Sequence, residues 1–184
     1  MTIARVAAWD CTIAERLAEA GPDDILDPMQ LLRSAAQERG WTSETLPSVS
    51  RGTESGAGVT HAALAAIREP GEIQRRMWSA QVSVLLPVVE LHRLAIVREY
   101  RHQIVAELRR DGQKEDAEAL EVGELAFLLS RAGFDDDVAS RAEALRRARN
   151  VLAHGKPLMT SQALVLARSA SNTRHQAGRP DGES

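Results

Sequence analysis

The residues best suited to chemistry lie between 146 and 158, where the chain reads Arg-Arg-Ala-Arg-Asn-Val-Leu-Ala-His-Gly-Lys-Pro-Leu. Arg149, Asn150 and His154 fall at the C-terminal end of an amphipathic helical pattern. Asn150 and His154 are one helical turn apart and share a face, and the long Arg149 side chain reaches the same surface. A guanidinium, an amide and an imidazole at one helix end suit phosphodiester chemistry. Arginine grips a phosphate through two parallel hydrogen bonds and stabilises transition-state charge. Histidine titrates near neutrality and serves as general acid or base. Arg146, Arg147 and Lys156 add local charge for binding an RNA backbone. The same residues also have a structural reading. Cations near a helix C-terminus meet exposed carbonyls and the negative end of the dipole, and His154 would then only cap the last turn.

Other candidates are weaker. Glu121 and Glu124 are one turn apart and could tune His154, although a solvated helix face explains them better. His92 and His102 are ten residues apart on one helix, a spacing that suits no metal pair. Asp135–Asp137 lacks the alternating ligands and closing Glu of a calcium loop. Asp10 and Cys11 show no nucleophile arrangement. Gly52–Gly58 is followed by no Lys-Ser or Lys-Thr, so it is no phosphate loop. Arg168 and His175 repeat the loose Arg-to-His spacing in a polar tail. No metal site and no cofactor is expected.

Length and charge bound these readings. The chain has 184 residues, with 23 basic and 26 acidic side chains and a formal charge of −3. Any RNA site must therefore be a local patch on an otherwise acidic protein. Hydrophobic residues make up 43% and aromatics 3%, so aliphatic side chains must build the core. Cys11 is alone, which rules out an intrachain disulfide. No stretch reaches the ~18 uninterrupted apolar residues of a membrane span. Arg5, Asp10, Glu15, Arg16 and Glu19 deny the N-terminus the apolar run of a signal peptide. A soluble cytoplasmic protein is expected.

The elements that must position the site read as all-α. Ala, Leu, Arg and Glu dominate, and no strand-length alternation is bounded by turn signals. One helix is expected over residues 2–20, stopped by Gly21-Pro22. A second is expected with Asp27 as cap and Pro28 at its first position, running to Gly40. Residues 42–58, rich in Ser, Thr and Gly, read as a flexible linker and the main boundary. A short helix over 59–69 precedes a long one over 72–110, which Pro87 should kink. A helix over 115–131 should turn Leu120, Phe127 and Leu128 inward, with Trp78 a further anchor of the core. Asp135–Asp137 should cap a helix running to about His154, ended by Gly155 and Pro157. Thr160 or Ser161 should cap a last helix. The expected organisation is an N-terminal helical extension over 1–41, the linker over 42–58, a helical domain over 59–168 and a disordered tail over 169–184.

Arg149-Asn150-Val-Leu-Ala-His154 resembles the Arg-X4-6-His signature of the HEPN family (higher eukaryotes and prokaryotes nucleotide-binding domains). In that family the motif closes the long third helix of an all-α bundle, a short helix follows, and Asn commonly stands directly after the Arg. Trp78 to Arg101, followed by Leu120-Glu121-Val122-Gly123-Glu124-Leu125, resembles a bacterial subgroup found beside conflict-system and signalling NTPases. The resemblance covers about residues 74–167. It implies a metal-independent endoribonuclease, acting as a homodimer whose motif helices line one cleft and leaving a cyclic phosphate on single-stranded RNA. His154 would be the general acid/base, Arg149 would hold the scissile phosphate and Asn150 would orient them. The alternative is a non-catalytic HEPN-like adaptor that binds a partner NTPase, a protease or an antitoxin protein, with the N-terminal helices, tethered by the linker over 42–58, carrying the contact.

Overall fold

The computed structural model describes residues 2–45, 49–50, 59–112 and 116–166. The fold is all-α. Its helices are α1 (Thr2–Ala7), α2 (Cys11–Glu19), α3 (Pro22–Leu26), α4 (Met29–Glu38), α5 (Ala62–Arg68), α6 (Pro70–Glu99), α7 (Arg101–Arg110), α8 (Val122–Arg131) and α9 (Asp136–Ala153). A short 3-10 turn, Ala117–Ala119, precedes α8. Residues 160–166 are helical again. The strands β1 (Val49–Ser50) and β2 (Val59–Thr60) pair antiparallel, with Val49 opposite Thr60.

The chain forms two compact units, one of Met1–Val84 with His154–Thr160, the other of Leu85–Ala153 with the chain from Ser161 onward. The boundary falls inside α6, not at residues 42–58 as the composition suggested. The reason is visible in the core of the first unit. Val6, Ile13, Leu17, Leu32 and Ala36, from before the supposed linker, are buried with Ala62, Ala66, Ile73 and Met77 from after it. The ends of that stretch are also held. The Thr42 N–H bonds the Thr45 hydroxyl at 2.8 Å, and β1 pairs with β2. Residues 46–48 and 51–58 lie outside the described residues, as does the tail beyond 166.

Asp10 breaks the helix expected over residues 2–20. Ala8 turns back with φ 59°, a conformation costing a residue with a Cβ roughly 1–2 kcal/mol. Asp10 then caps α2 by accepting the Ile13 N–H at 3.0 Å. Its other oxygen accepts from Arg39 Nη2 at 2.8 Å and meets His61 Nε2 at 2.7 Å. His61 is buried at the start of α5, where its Nδ1 accepts the Ala63 N–H. The neutral ring therefore carries its proton on Nε2 and donates it to Asp10. Trp9 and Trp41 stand edge-on to the ring at 5.6 and 4.8 Å. One carboxylate thus ties α2, the end of α4 and the start of α5. Two smaller expectations also change here. Asp27 closes the unexpected helix α3 rather than capping α4, and Pro28 occupies the cap position of α4.

In the second unit α8 packs on α9. Val122, Leu125 and Leu129 are buried, as are Val138, Ala142, Leu145 and Leu152. Asp135 caps α9 as expected, its carboxylate accepting the Asp137 N–H at 2.9 Å. The helix expected over 115–131 does not form as one piece. Asp116 instead caps the 3-10 turn by accepting from the Glu118 and Ala119 N–H groups, and α8 starts only at Val122. The irregular carbonyls of Glu118 and Leu120 are taken by buried Arg93 at 2.9 and 2.7 Å. Phe127 does not face inward; it is 66% exposed. Trp78, in the first unit, is half-buried.

The long helix expected over 72–110 is interrupted, but at Tyr100 rather than at Pro87, which the helical run passes. By length and composition alone α6 could cross a membrane, with an 18-residue window of mean hydropathy 1.5, of which 33% is buried. It also carries Glu90 and Arg93, and Arg93 is committed to the backbone carbonyls just described.

The Asp10 clasp makes two predictions about stability. Asp10→Ala removes a helix cap and leaves His61 and Arg39 short of a partner, so thermal unfolding should register a loss of about 2–4 kcal/mol. Burial holds the His61 pKa below its ordinary 6.5, outweighing the opposing hydrogen bond and charge of Asp10. The unfolded chain therefore takes up this proton first as pH falls. Stability should decline as pH drops from about 6.5 through the lowered folded value, and His61→Ala should remove that part of the pH dependence. Burial alone would raise the Asp10 pKa, but the Ile13 N–H, His61 and Arg39 outweigh it and hold it below 3.8. Its contribution is therefore lost only in stronger acid.

Candidate functional site

Two helices build the cleft that holds the expected arginine. Glu121, Val122, Ala126 and Phe127 of the α8 side face Glu143, Arg146, Arg149 and Asn150 of α9 across about 480 Å³. On α9 the spacing 143, 146, 150 keeps these side chains on one stripe. An adjoining cleft of about 370 Å³, lined by Leu86, Val89, Glu90 and Arg93, shares Glu121, Val122 and Arg149 with the first. Arg149 therefore stands where the two meet. Its side chain is 45% exposed, and its carboxylate partner Glu121 is loosely held at 3.6 Å. An exposed pair at that distance contributes little, so an incoming anion can replace Glu121 at small cost. Asn150 is half-buried beside it.

The other arginines are committed elsewhere. Arg146 forms a two-pronged pair with Glu143, Nε to Oε2 at 2.6 Å and Nη2 to Oε1 at 2.7 Å. Arg147 shares the same carboxylate at 2.7 Å and lines a separate cleft with Ser161, Gln162 and Val165. The hydrogen bonds from Arg146, joined by those of Arg147, pull the Glu143 pKa down to about 2. Glu143 is thus ionised at every physiological pH and offsets the charge expected of Arg146 and Arg147. Of the expected phosphate-binding arginines, Arg149 keeps the freest head group. Glu124 is not part of this cleft. Its carboxylate accepts the Glu121 backbone N–H at 2.8 Å and so helps cap α8.

His154 follows directly on Ala153, the last residue of α9, and Gly155 turns the chain with φ 73°. Both are exposed, as is Lys156. His154 opens the segment His154–Thr160, which clusters with the first unit. The structure therefore gathers Arg146, Arg149, Asn150 and Glu121 within the second unit and assigns His154 and Lys156 to the other. Arg168 and His175 lie outside the described residues.

Sequence reasoning missed the residue that fixes the segment after His154. Gln81 is buried and pairs with the Leu158 backbone in both directions. The Leu158 N–H donates to Oε1 at 2.6 Å, and Nε2 donates to the Leu158 carbonyl at 3.2 Å. The two residues are 77 apart, so no local pattern announces the pair. The Asp10–His61 pair, 51 apart, was hidden in the same way. Both of its ring nitrogens are engaged, so it fastens the fold and is not a poised base. His92 is half-buried, and burial first, then the Arg141 charge, lowers its pKa. His102 is exposed.

No protein-family model, curated protein or solved structure matches this chain.

The shared carboxylate gives a direct test of the local charge. Glu143→Gln should release Arg146 and Arg147 and make the α9 surface more cationic. The variant should elute from a heparin column at distinctly higher salt than the wild type. Unchanged elution would show that the two arginines were already available to anions.

Proposed function

We propose that this protein is a HEPN-type, metal-independent endoribonuclease of a bacterial defence or toxin system, acting on single-stranded RNA as a homodimer in the cytoplasm. One observation carries the reading. Arg149 stands in an open cleft, paired at 3.6 Å with the exposed Glu121 carboxylate, with Asn150 beside it. An exposed histidine follows the last residue of the same helix, in Arg-X4-His spacing. The reaction follows from what these groups supply. A base takes the proton of the 2′-hydroxyl, and the oxygen attacks the neighbouring phosphorus. The bond to the 5′-oxygen breaks, and an acid returns a proton to that oxygen. His154 suits the proton transfers, with the partner copy offering a second imidazole. Arg149 binds the phosphate and balances the charge that builds on it. Asn150 orients these groups through its amide. A single strand is the preferred substrate because its backbone can adopt the in-line geometry of attack.

A second reading, a non-catalytic adaptor that binds a partner NTPase, protease or antitoxin, is favoured by one specific observation. Glu143 engages both Arg146 and Arg147 and offsets one of their two charges, where a dedicated RNA surface would leave both free. Salt separates the two readings. RNA affinity falls steeply with rising salt, whereas an apolar protein contact does not.

Cleavage of a single-stranded RNA by the purified full chain in EDTA is the test. Wild type should cut, and Arg149→Ala and His154→Ala should each lose on the order of 10²–10⁴-fold in rate while keeping the wild-type melting temperature. Folded, dimeric wild type that cuts no RNA would favour the adaptor.

A further inference from the structure

Phe127 is the most exposed large aromatic side chain among the described residues, at 66%. Its position on α8 matters more than its exposure. The helix buries Val122, Leu125, Ala126, Leu128 and Leu129, so the apolar side of α8 is complete without Phe127. A fully exposed phenyl ring loses the ~1.5–3 kcal/mol that burial would give it. Phe127 also lines the same cleft as Arg146, Arg149 and Asn150. The Arg131 guanidinium lies over its ring at 5.8 Å and is itself tied to Asp111. The ring has a cation at one face and still lines the cleft.

We propose that Phe127 is a stacking platform for an RNA base next to the phosphate held by Arg149. This rests on the endoribonuclease reading of the same cleft. The argument is one of chemistry. An anion site with an amide beside it and one open aromatic ring at its edge matches a nucleotide unit, which presents a charged phosphate and a flat base. Proteins that hold single strands combine cationic grooves with aromatic rings in this way, and stacking tolerates any base. The charge in the cleft fits that occupant. Glu143 is satisfied by two arginines, and Glu121 is the weakly held partner that a phosphate would displace. An apolar protein surface would gain nothing from Arg149 and Asn150 and would bury their polar groups.

The test uses the full chain and a fluorescein-labelled single-stranded RNA made uncleavable by 2′-O-methylation, with binding read by anisotropy in EDTA. Phe127→Ala and Phe127→Leu should each weaken binding about tenfold, and Phe127→Tyr should restore it, since stacking is worth ~1–3 kcal/mol per base. Phe127→Leu decides the matter, because it keeps apolar bulk and removes only the flat ring. An RNA with one abasic site that costs wild type the same factor, and the Ala variant nothing more, would place the base on the ring. Leu binding as tightly as Phe overturns the proposal. So does a Phe127 variant that changes the sedimentation mass, which would make the ring a protein contact. Arg149→Ala, measured beside them, separates the two levels. If it weakens binding and the Phe127 variants do not, the stacking proposal alone fails. If neither weakens binding, or wild type binds no RNA, the endoribonuclease reading fails and the stacking proposal with it.

Discussion

Backbone carbonyls that no helix satisfies are the constraint this protein is built around. With aromatics at only 3% of residues and little strand structure among the described residues, the core is aliphatic and the connections are irregular. Irregular connections leave acceptors without donors, and a buried acceptor left unpaired is costly. Arginine closes them here. Buried Arg93 takes the carbonyls of Glu118 and Leu120, and buried Arg76 takes that of Thr60 at 2.7 Å. Arg68 takes that of Thr45 at 3.2 Å. The flat guanidinium, with five donors in a fixed fork, bonds a carbonyl and a carboxylate at once, which an ammonium does less well. Arg76 does so through Glu72 and Thr60, and Arg93 through Glu90 and the 3-10 turn.

The same economy of charge shapes the α8–α9 cleft. Arg93 positions the turn that leads into Glu121, and Glu121 reaches toward Arg149. Glu143 absorbs two arginines, leaving one cation with a weak partner in a mainly apolar cleft. In the proposed reading, one weakly partnered cation serves one phosphate more than a long stretch of backbone. A net charge of −3 on the whole chain fits that picture of a small, local anion site.

Helix content was legible because apolar spacing and helix-forming residues agreed over long stretches, and the Asp135 cap and the stop at Gly155 stood where their chemistry placed them. What could not be read depended on partners distant in sequence. Asp10 was noted only as part of no nucleophile arrangement, because nothing near it in sequence announced His61 or Arg39. Gln81 was not singled out, because its partner is a backbone segment 77 residues away. Residues 42–58 read as a linker from composition, yet the side chains on either side share one core. Phe127 was placed inward by helical spacing, but Leu125, Leu128 and Leu129 already fill that side of α8. Arg149 and Asn150 could be placed beside each other from sequence because they are neighbours on one helix, whereas Glu121 was named as a group to tune His154 and instead stands 3.6 Å from Arg149. The capture of Arg146 and Arg147 by Glu143 is also helix-local, at spacings of three and four residues, and was legible in principle.

The central claim is that the RNA supplies its own nucleophile while this chain supplies the charge and the proton transfers. The most direct measurement compares one defined RNA with the same strand carrying a single 2′-deoxy sugar at the cleavage position, with the 3′ ends identified by mass spectrometry. The account predicts a 2′,3′-cyclic phosphate on the all-ribose product and no cut at the deoxy position. A cut at the deoxy position, or a product ending directly in a 3′-hydroxyl, would contradict it.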